Sequence, residues 1–175
     1  MESEEFKQNN LYVDDLYPEG LYPEYNTLMN ARASLTNEVM EYNWFRSSYF
    51  AWLDIGYGHG ENIFPPGGLW YPSDLIRGED KITVIQLSDR PINKTKSIYT
   101  IYKRDEPPPL NGAFIGGTRK AMERYFKLHR HIFNKFIKMN MMDDDQTLLA
   151  ACWFEEPELF HLVWGWWYDV FELFQ

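Results

Sequence analysis

The first twenty-five residues carry neither a helical nor an alternating period. They are acidic, then rich in Tyr and Pro (LYVDDLYPEGLYPEY), and the Pro and Gly punctuation predicts an extended arm over 1–25. From residue 26 the pattern changes. Leu28, Ala31, Leu35, Val39 and Tyr42 recur at helical spacing, with Asn26 placed to cap the start, so 26–42 reads as a helix. Tyr49 to Leu53 then form a short aromatic and aliphatic run that stops at Asp54 and Gly56. Such a run predicts a buried strand whose end opens into a loop. The stretch YGHGENIFPPGGLWYPSD is loaded with Gly and Pro and reads as a long irregular loop, a type that is often functional.

Further on, KITVIQL (81–87) alternates as a strand does, and SIYTIY (97–102) predicts another. Consecutive prolines within 105–110 break any regular element. AFIGG reads as a very short strand with a glycine turn, after which Thr118 caps a long helix reaching about Met139. Two adjacent apolar rows give that helix a wide buried face: Ala121, Tyr125, Leu128, Ile132 and Phe136 in one, Met122, Phe126, His129, Phe133 and Ile137 in the other. Its lysines and arginines read as a solvated face. The acidic cluster Asp143–Asp145 suits the N-terminus of a further helix running through Ala151. LFHLVW (159–164) predicts a last strand, and WWYDVFELF an aromatic helix. The succession of elements is that of an α/β protein, with a domain over 26–175 behind the arm.

Composition adds three restrictions. Aromatic residues make up 18% of the 175-residue chain, enough to build a core, although ring faces also serve to stack sugars. The formal charge of −9 argues against a nucleic-acid partner, which needs a basic footprint. Cys152 is the lone cysteine and sits in an apolar run, so it reads as buried. No apolar run approaches the ~18 residues needed to span a bilayer. The acidic start MESEEFKQNN is unlike a signal peptide. Read alone, this places the chain in the cytoplasm by default, or in the secretory pathway where an upstream segment precedes it.

Three segments carry candidate chemistry. In WLDIGYGHG, Asp54 ends a buried strand and glycines follow, which lets a ligand approach the backbone. Asp54 would there ligate a hard cation or simply turn the chain, and His59 would join it or contact a phosphate. In NGAFIGGTR, glycines ahead of a helix either present N–H groups to an anion or allow tight packing. In MDDDQTLL, Asp145 and Gln146 either point into a pocket or belong to a helix cap.

In this order, the segments YPEYNTLMNARASLTNEV, YFAWLDIGYGHG, GAFIGGTRKAMERYFKLHRHIF and DDDQTLLAACWFEEPELFHLV resemble the HtrL/YibB family, over roughly residues 20–165. The resemblance implies a GT-A type glycosyltransferase-like fold: a partial mixed sheet flanked by helices, with the N-terminal strands that bind the nucleotide missing. It implies transfer of a sugar from a nucleotide-sugar donor to a glycan acceptor, assisted by a divalent cation (Mn or Mg). The alternative is a non-catalytic fragment or binding module derived from such an enzyme. By the same resemblance Asp54 is the metal ligand, and Asp145 and Gln146 are catalytic. Gly116, Gly117, Tyr57 and His59 would contact donor or acceptor. A sheet without its first strands would leave an open edge prone to self-association.

Overall fold

The computed structural model describes residues 18–70, 72, 80–89, 92, 102 and 109–173. The elements are α1 (Pro18–Leu21), α2 (Pro23–Tyr42), β1 (Tyr49–Leu53), β2 (Ile82–Gln86), β3 (Leu110–Thr118), α3 (Arg119–Lys138), α4 (Asp145–Glu155), β4 (Phe160–Trp164) and α5 (Val170–Leu173). The strands form one sheet in the order β1-β3-β2-β4. The β1–β3 and β3–β2 pairs are antiparallel, and β2–β4 is parallel. The protein is therefore a mixed α/β fold with a four-stranded mixed sheet flanked by helices. Among the described residues no helix is long and apolar enough to cross a membrane.

Alternation along the central strands sorts side chains onto the two faces. Val84 and Ile115 go to one side, where they join the larger core with Tyr125, Ile132 and Phe136 of α3 and Leu148 and Leu149 of α4. Ile85 and Phe114 go to the other, into a smaller core of Tyr57, Val170 and Phe171. The loop after β1 and the C-terminal segment thus cover one face, and the long helices cover the other. Both edge strands, β1 and β4, are only five residues long, which limits the open edge.

Several local expectations need correction. The Tyr/Pro-rich arm is helical over its described end, because Pro18 and Pro23 each open a helix. Proline is favoured in a first helical turn: its φ is already helical and its missing N–H would have had no partner. Residues 1–17 of the arm lie outside the described residues. Asn26 is not a cap but a buried residue of the helix. The expected strand at 97–102 falls outside the described residues except for Tyr102, which is helical and packs edge-on against Phe136. There is no glycine turn before α3. Gly116 and Gly117 lie inside the nine-residue β3, which runs straight into the helix, with the Thr118 hydroxyl accepting from the Ala121 N–H.

The larger departure is the orientation of α2. Its apolar row faces outward: Leu28, Leu35, Val39 and Tyr42 are exposed. The buried face is Asn26, Asn30, Ala33, Thr36 and Met40. One neutral tether supports that arrangement: the Asn30 amide donates to the Asp143 carbonyl (2.9 Å), while its bond to the Asn26 carbonyl (2.8 Å) and that of the Thr36 hydroxyl to the Arg32 carbonyl (2.9 Å) stay within α2. Buried polar groups with partners cost far less than orphaned ones.

Candidate functional site

The β1 strand carries Asp54 to the rim of the sheet, where its backbone N–H donates to the Ala113 carbonyl and prolongs the ladder with β3. The carboxylate is held from two sides. The Trp52 indole N–H donates to Oδ1 at 2.6 Å, and Arg32 Nη2 lies 3.1 Å from Oδ2. Arg32 rises from the inward face of α2 and reaches a second carboxylate: its Nη1 is 2.6 Å from Asp145 Oδ2 and 3.2 Å from the Gly112 carbonyl. The guanidinium also stands 5.8 Å from the Trp52 ring centroid. One arginine thus bridges the carboxylates that end β1 and begin α4, a charge-assisted geometry that fixes all three side chains.

Asp54 and Asp145 face the ligand side unequally. Asp54, with 27% of its side chain exposed, opens onto a cleft of about 600 Å³. α2 lends this cleft Leu28, Arg32 and Leu35; β1 lends Trp52, and Asp54 follows at its end. The following loop adds Tyr57 and His59, and the C-terminal segment adds Trp167 and Tyr168. Asp145 sits behind Arg32, beside a void of about 20 Å³ that Tyr125 and His129 also line. Burial pushes the Asp145 carboxyl up to about 7 against the opposing pull of Arg32, with Asp144 and Asp54 adding to the rise. Burial likewise lowers His129 to about 4, so it is neutral.

The other expected residues separate into those that reach the cleft and those that do not. His59 is exposed on it, in a left-handed backbone conformation (φ 49°), with its ring 5.6 Å from Tyr168. Tyr57 lines it but is anchored: its hydroxyl accepts from the Val170 N–H at 3.2 Å, and burial raises its pKa to about 12. Gln146 does not point into the cleft; its amide donates to the Leu110 carbonyl at 2.9 Å and pins α4 to the start of β3. Gly116 and Gly117 lie at the far end of β3, where Gly117 pairs with Phe50 rather than with the Asp54 end of β1. Their lack of a side chain serves packing. A Cβ at Gly116 would come 3.0 Å from the Phe114 ring, and one at Gly117 would come 2.9 Å from the Lys81 carbonyl. Asp54 and Asp145 therefore share one site, and Gly116 and Gly117 lie outside it.

Two participants escaped the sequence reading. Arg32 is the only lysine or arginine between Lys7 and Arg46, and an isolated cation within a helix was the available signal. Gly112 also belongs to the site, since a Cβ there would collide with the Asp145 carboxylate. Asn111 supports the opposite wall: its amide donates to the Trp167 carbonyl (2.9 Å), while its Oδ1 accepts from the Ala113 N–H (2.8 Å).

The residues fit a divalent cation poorly. Hard cations take at least six oxygen ligands, whereas Asp54 and Asp145 bracket a guanidinium. Among the described residues no group of three or more His, Cys, Asp or Glu side chains is placed to hold a metal.

Residues 1–175 match the family described as "Bacterial protein of unknown function (HtrL_YibB)". The chain is 26% identical over 163 residues to Protein HtrL of Escherichia coli (strain K12), a match covering 90% of this chain and 55% of that protein. The chain thus spans about half the length of this curated relative. No solved structure matches it. The match over its full length shows that the chain belongs to the HtrL_YibB family.

Proposed function

We propose that the chain carries the sugar-binding part of a glycosyltransferase-like protein, with the cleft at Asp54 receiving the hexosyl unit of a nucleotide-sugar donor or a glycan acceptor. One observation carries the reading: aromatic side chains from separate segments, Trp52, Trp167 and Tyr168, surround a single carboxylate–guanidinium pair in a cleft of about 600 Å³. Sugars have apolar C–H faces that pack on rings and hydroxyls that pair with charged groups. Such a mixture of aromatic walls and few fixed polar groups is typical of ligand sites. Asp54 Oδ1 accepts one hydrogen bond from Trp52 and Oδ2 is ion-paired with Arg32, which leaves lone pairs on the carboxylate for a substrate hydroxyl.

In this reading Asp54 replaces Asp145 as the group that meets substrate. Transfer breaks the bond between the anomeric carbon and the donor phosphate oxygen, joins that carbon to an acceptor hydroxyl oxygen, and passes the hydroxyl proton to Asp54. The nucleoside diphosphate departs. Asp145 acts through Arg32, as a positioning residue. A second reading, a binding module without catalysis, is favoured by the same bridge, because Arg32 already neutralises the carboxylates that chemistry would need.

Calorimetric titration with uridine and guanosine diphosphate hexoses, with and without manganese, combined with an assay for nucleoside diphosphate release, separates the two. Binding with release, both lost in Asp54→Asn, supports transfer. Binding without release supports the module. An absence of heat with every nucleotide sugar and with the free hexoses sinks the sugar-binding reading.

A further inference from the structure

The arginine in the cleft at Asp54 is engaged by the protein itself. Its side chain is only 15% exposed, and both terminal nitrogens of the guanidinium have protein partners. Nη1 of Arg32 donates to the Asp145 carboxylate (2.6 Å) and to the Gly112 carbonyl (3.2 Å). Nη2 lies 3.1 Å from Asp54 Oδ2 and donates to Met29 Sδ at 2.9 Å. Of the described residues that line the cleft, only Arg32 and His59 can carry positive charge. A ligand there meets the partly exposed Asp54 carboxylate, while the terminal N–H groups of Arg32 are already taken. We propose that the cleft selects an uncharged sugar ring and rejects acidic sugars, with Asp54 as the residue that sets the choice. The inference rests on the sugar-binding reading above and adds to it the charge class of the sugar.

The walls and the polar groups of the cleft agree on this class. Leu28, Leu35, Trp52, Trp167 and Tyr168 offer apolar contact, which suits the C–H faces of a pyranose. Asp54 has lone pairs left for hydroxyl donors, and a neutral hexose carries several of these. A carboxylate or phosphate on the sugar carries only acceptors when ionised. It would lie beside a like charge, and to gain a cation it would have to displace Asp54, Asp145 or both from Arg32. A charge that leaves water without a partner costs far more than a hydroxyl does. Selectivity of this kind comes from the repulsive element as much as from the attractive one. The same argument keeps the diphosphate of a nucleotide-sugar donor out of the cleft, so that only the sugar ring enters. His59 is the other group that could receive an anion; it is exposed, with its ring 5.6 Å from that of Tyr168.

Calorimetric or ligand-observed NMR titration of the full chain at neutral pH tests the choice directly. The probes are the methyl glycosides of glucose, galactose and mannose, each paired with the methyl glycoside of its uronic acid, which differs only in carrying a carboxylate at C6. The best-bound neutral glycoside should bind roughly tenfold or more tighter than its acidic counterpart. Asp54→Asn removes the repelling charge and opens Arg32 Nη2 to a ligand carboxylate. It should weaken the neutral glycoside and strengthen the uronate, moving the preference toward the acid by about tenfold or more. The net charge of −9 repels anions as well, but removing one unit of it alters that background little, so such a shift reports the local pair. Uronates that bind as well as or better than the neutral glycosides overturn the charge rule and leave the sugar-binding reading standing. Were that uronate binding lost in His59→Gln, the imidazole would be the group that receives the acid. A preference unchanged in Asp54→Asn overturns the assignment to Asp54. Binding of neither kind of glycoside overturns the inference together with the reading beneath it.

Discussion

α2 and α3 are both twenty-residue helices on the same face of the sheet, yet they bury opposite kinds of side chain. α3 turns Tyr125, Leu128, Ile132 and Phe136 into the core and leaves its cations outside. α2 turns Asn26, Asn30 and Thr36 inward and leaves its leucines outside. The difference lies in what each helix finds beneath it. Under α3 are Val84 and Ile115, which offer only apolar contact. Under α2 are a carbonyl of Asp143 and the carboxylates of Asp54 and Asp145, which offer partners for Asn30 and Arg32. An apolar row therefore predicts that a helix forms, but the surface below decides which face is covered.

The widest contrast is in packing. Phe136→Ala or Ile132→Ala on α3 should cost roughly 3–5 kcal/mol, the range for truncating a fully buried large side chain. Leu28→Ala or Val39→Ala on α2 should stay within about 0.5 kcal/mol. Urea denaturation checks both. Equal losses on the two helices would mean that the α2 row is covered. Phe126 and Phe133, whose sequence positions promised full burial, are only half-buried and should fall between these limits.

A second comparison concerns the charged tether of α2. The Asp145 carboxyl keeps its proton to about pH 7 in the folded protein, whereas an unfolded aspartate loses it near pH 4. The folded state therefore binds more protons between these values. The stability linked to Asp145 is fully present below about pH 4 and is lost as pH rises to about 7. Asp145→Asn cannot titrate. The stability of the unaltered protein relative to this variant should fall across that window by on the order of 3 kcal/mol. Parallel curves from pH 4 to pH 7 would show that Arg32 keeps Asp145 ionised throughout.

The neutral tether should contribute less than the charged one. Asn30→Ala removes both donated hydrogen bonds and leaves the buried Asp143 carbonyl without that donor, a loss of about 1–3 kcal/mol. A change below about 0.5 kcal/mol would mean that α2 is held mainly by Arg32.

Strand positions were legible because a short run bounded by polar residues leaves little choice: β1 ends at Leu53 and β4 begins at Phe160, within a residue of expectation. Two of the three expected caps were legible too, Asn26 being the exception. Asp144 accepts from the Gln146 and Thr147 N–H groups, and Thr118 from Ala121, as an acidic or hydroxyl residue before an apolar helix should. Gly116 and Gly117 misled because a glycine pair ahead of a helix has two physical uses, a turn or close packing, and only neighbouring strands distinguish them. The acidic cluster singled out Asp145 but not the direction it faces. Whether a carboxylate faces a cleft or a guanidinium depends on a residue of another helix, and no local spacing encodes that.

The parallel pairing of β2 with β4 has a consequence for synthesis. Thr83 and His161 stand side by side in the sheet but are 78 residues apart in the chain. At roughly 5–20 residues per second, ITVIQ waits several seconds after leaving the ribosome before its second neighbour exists. During that interval one edge of a buried, uncharged strand is open to other nascent chains. The yield of soluble protein should therefore depend on translation speed and on chaperones that mask strand edges, even where the finished fold is stable.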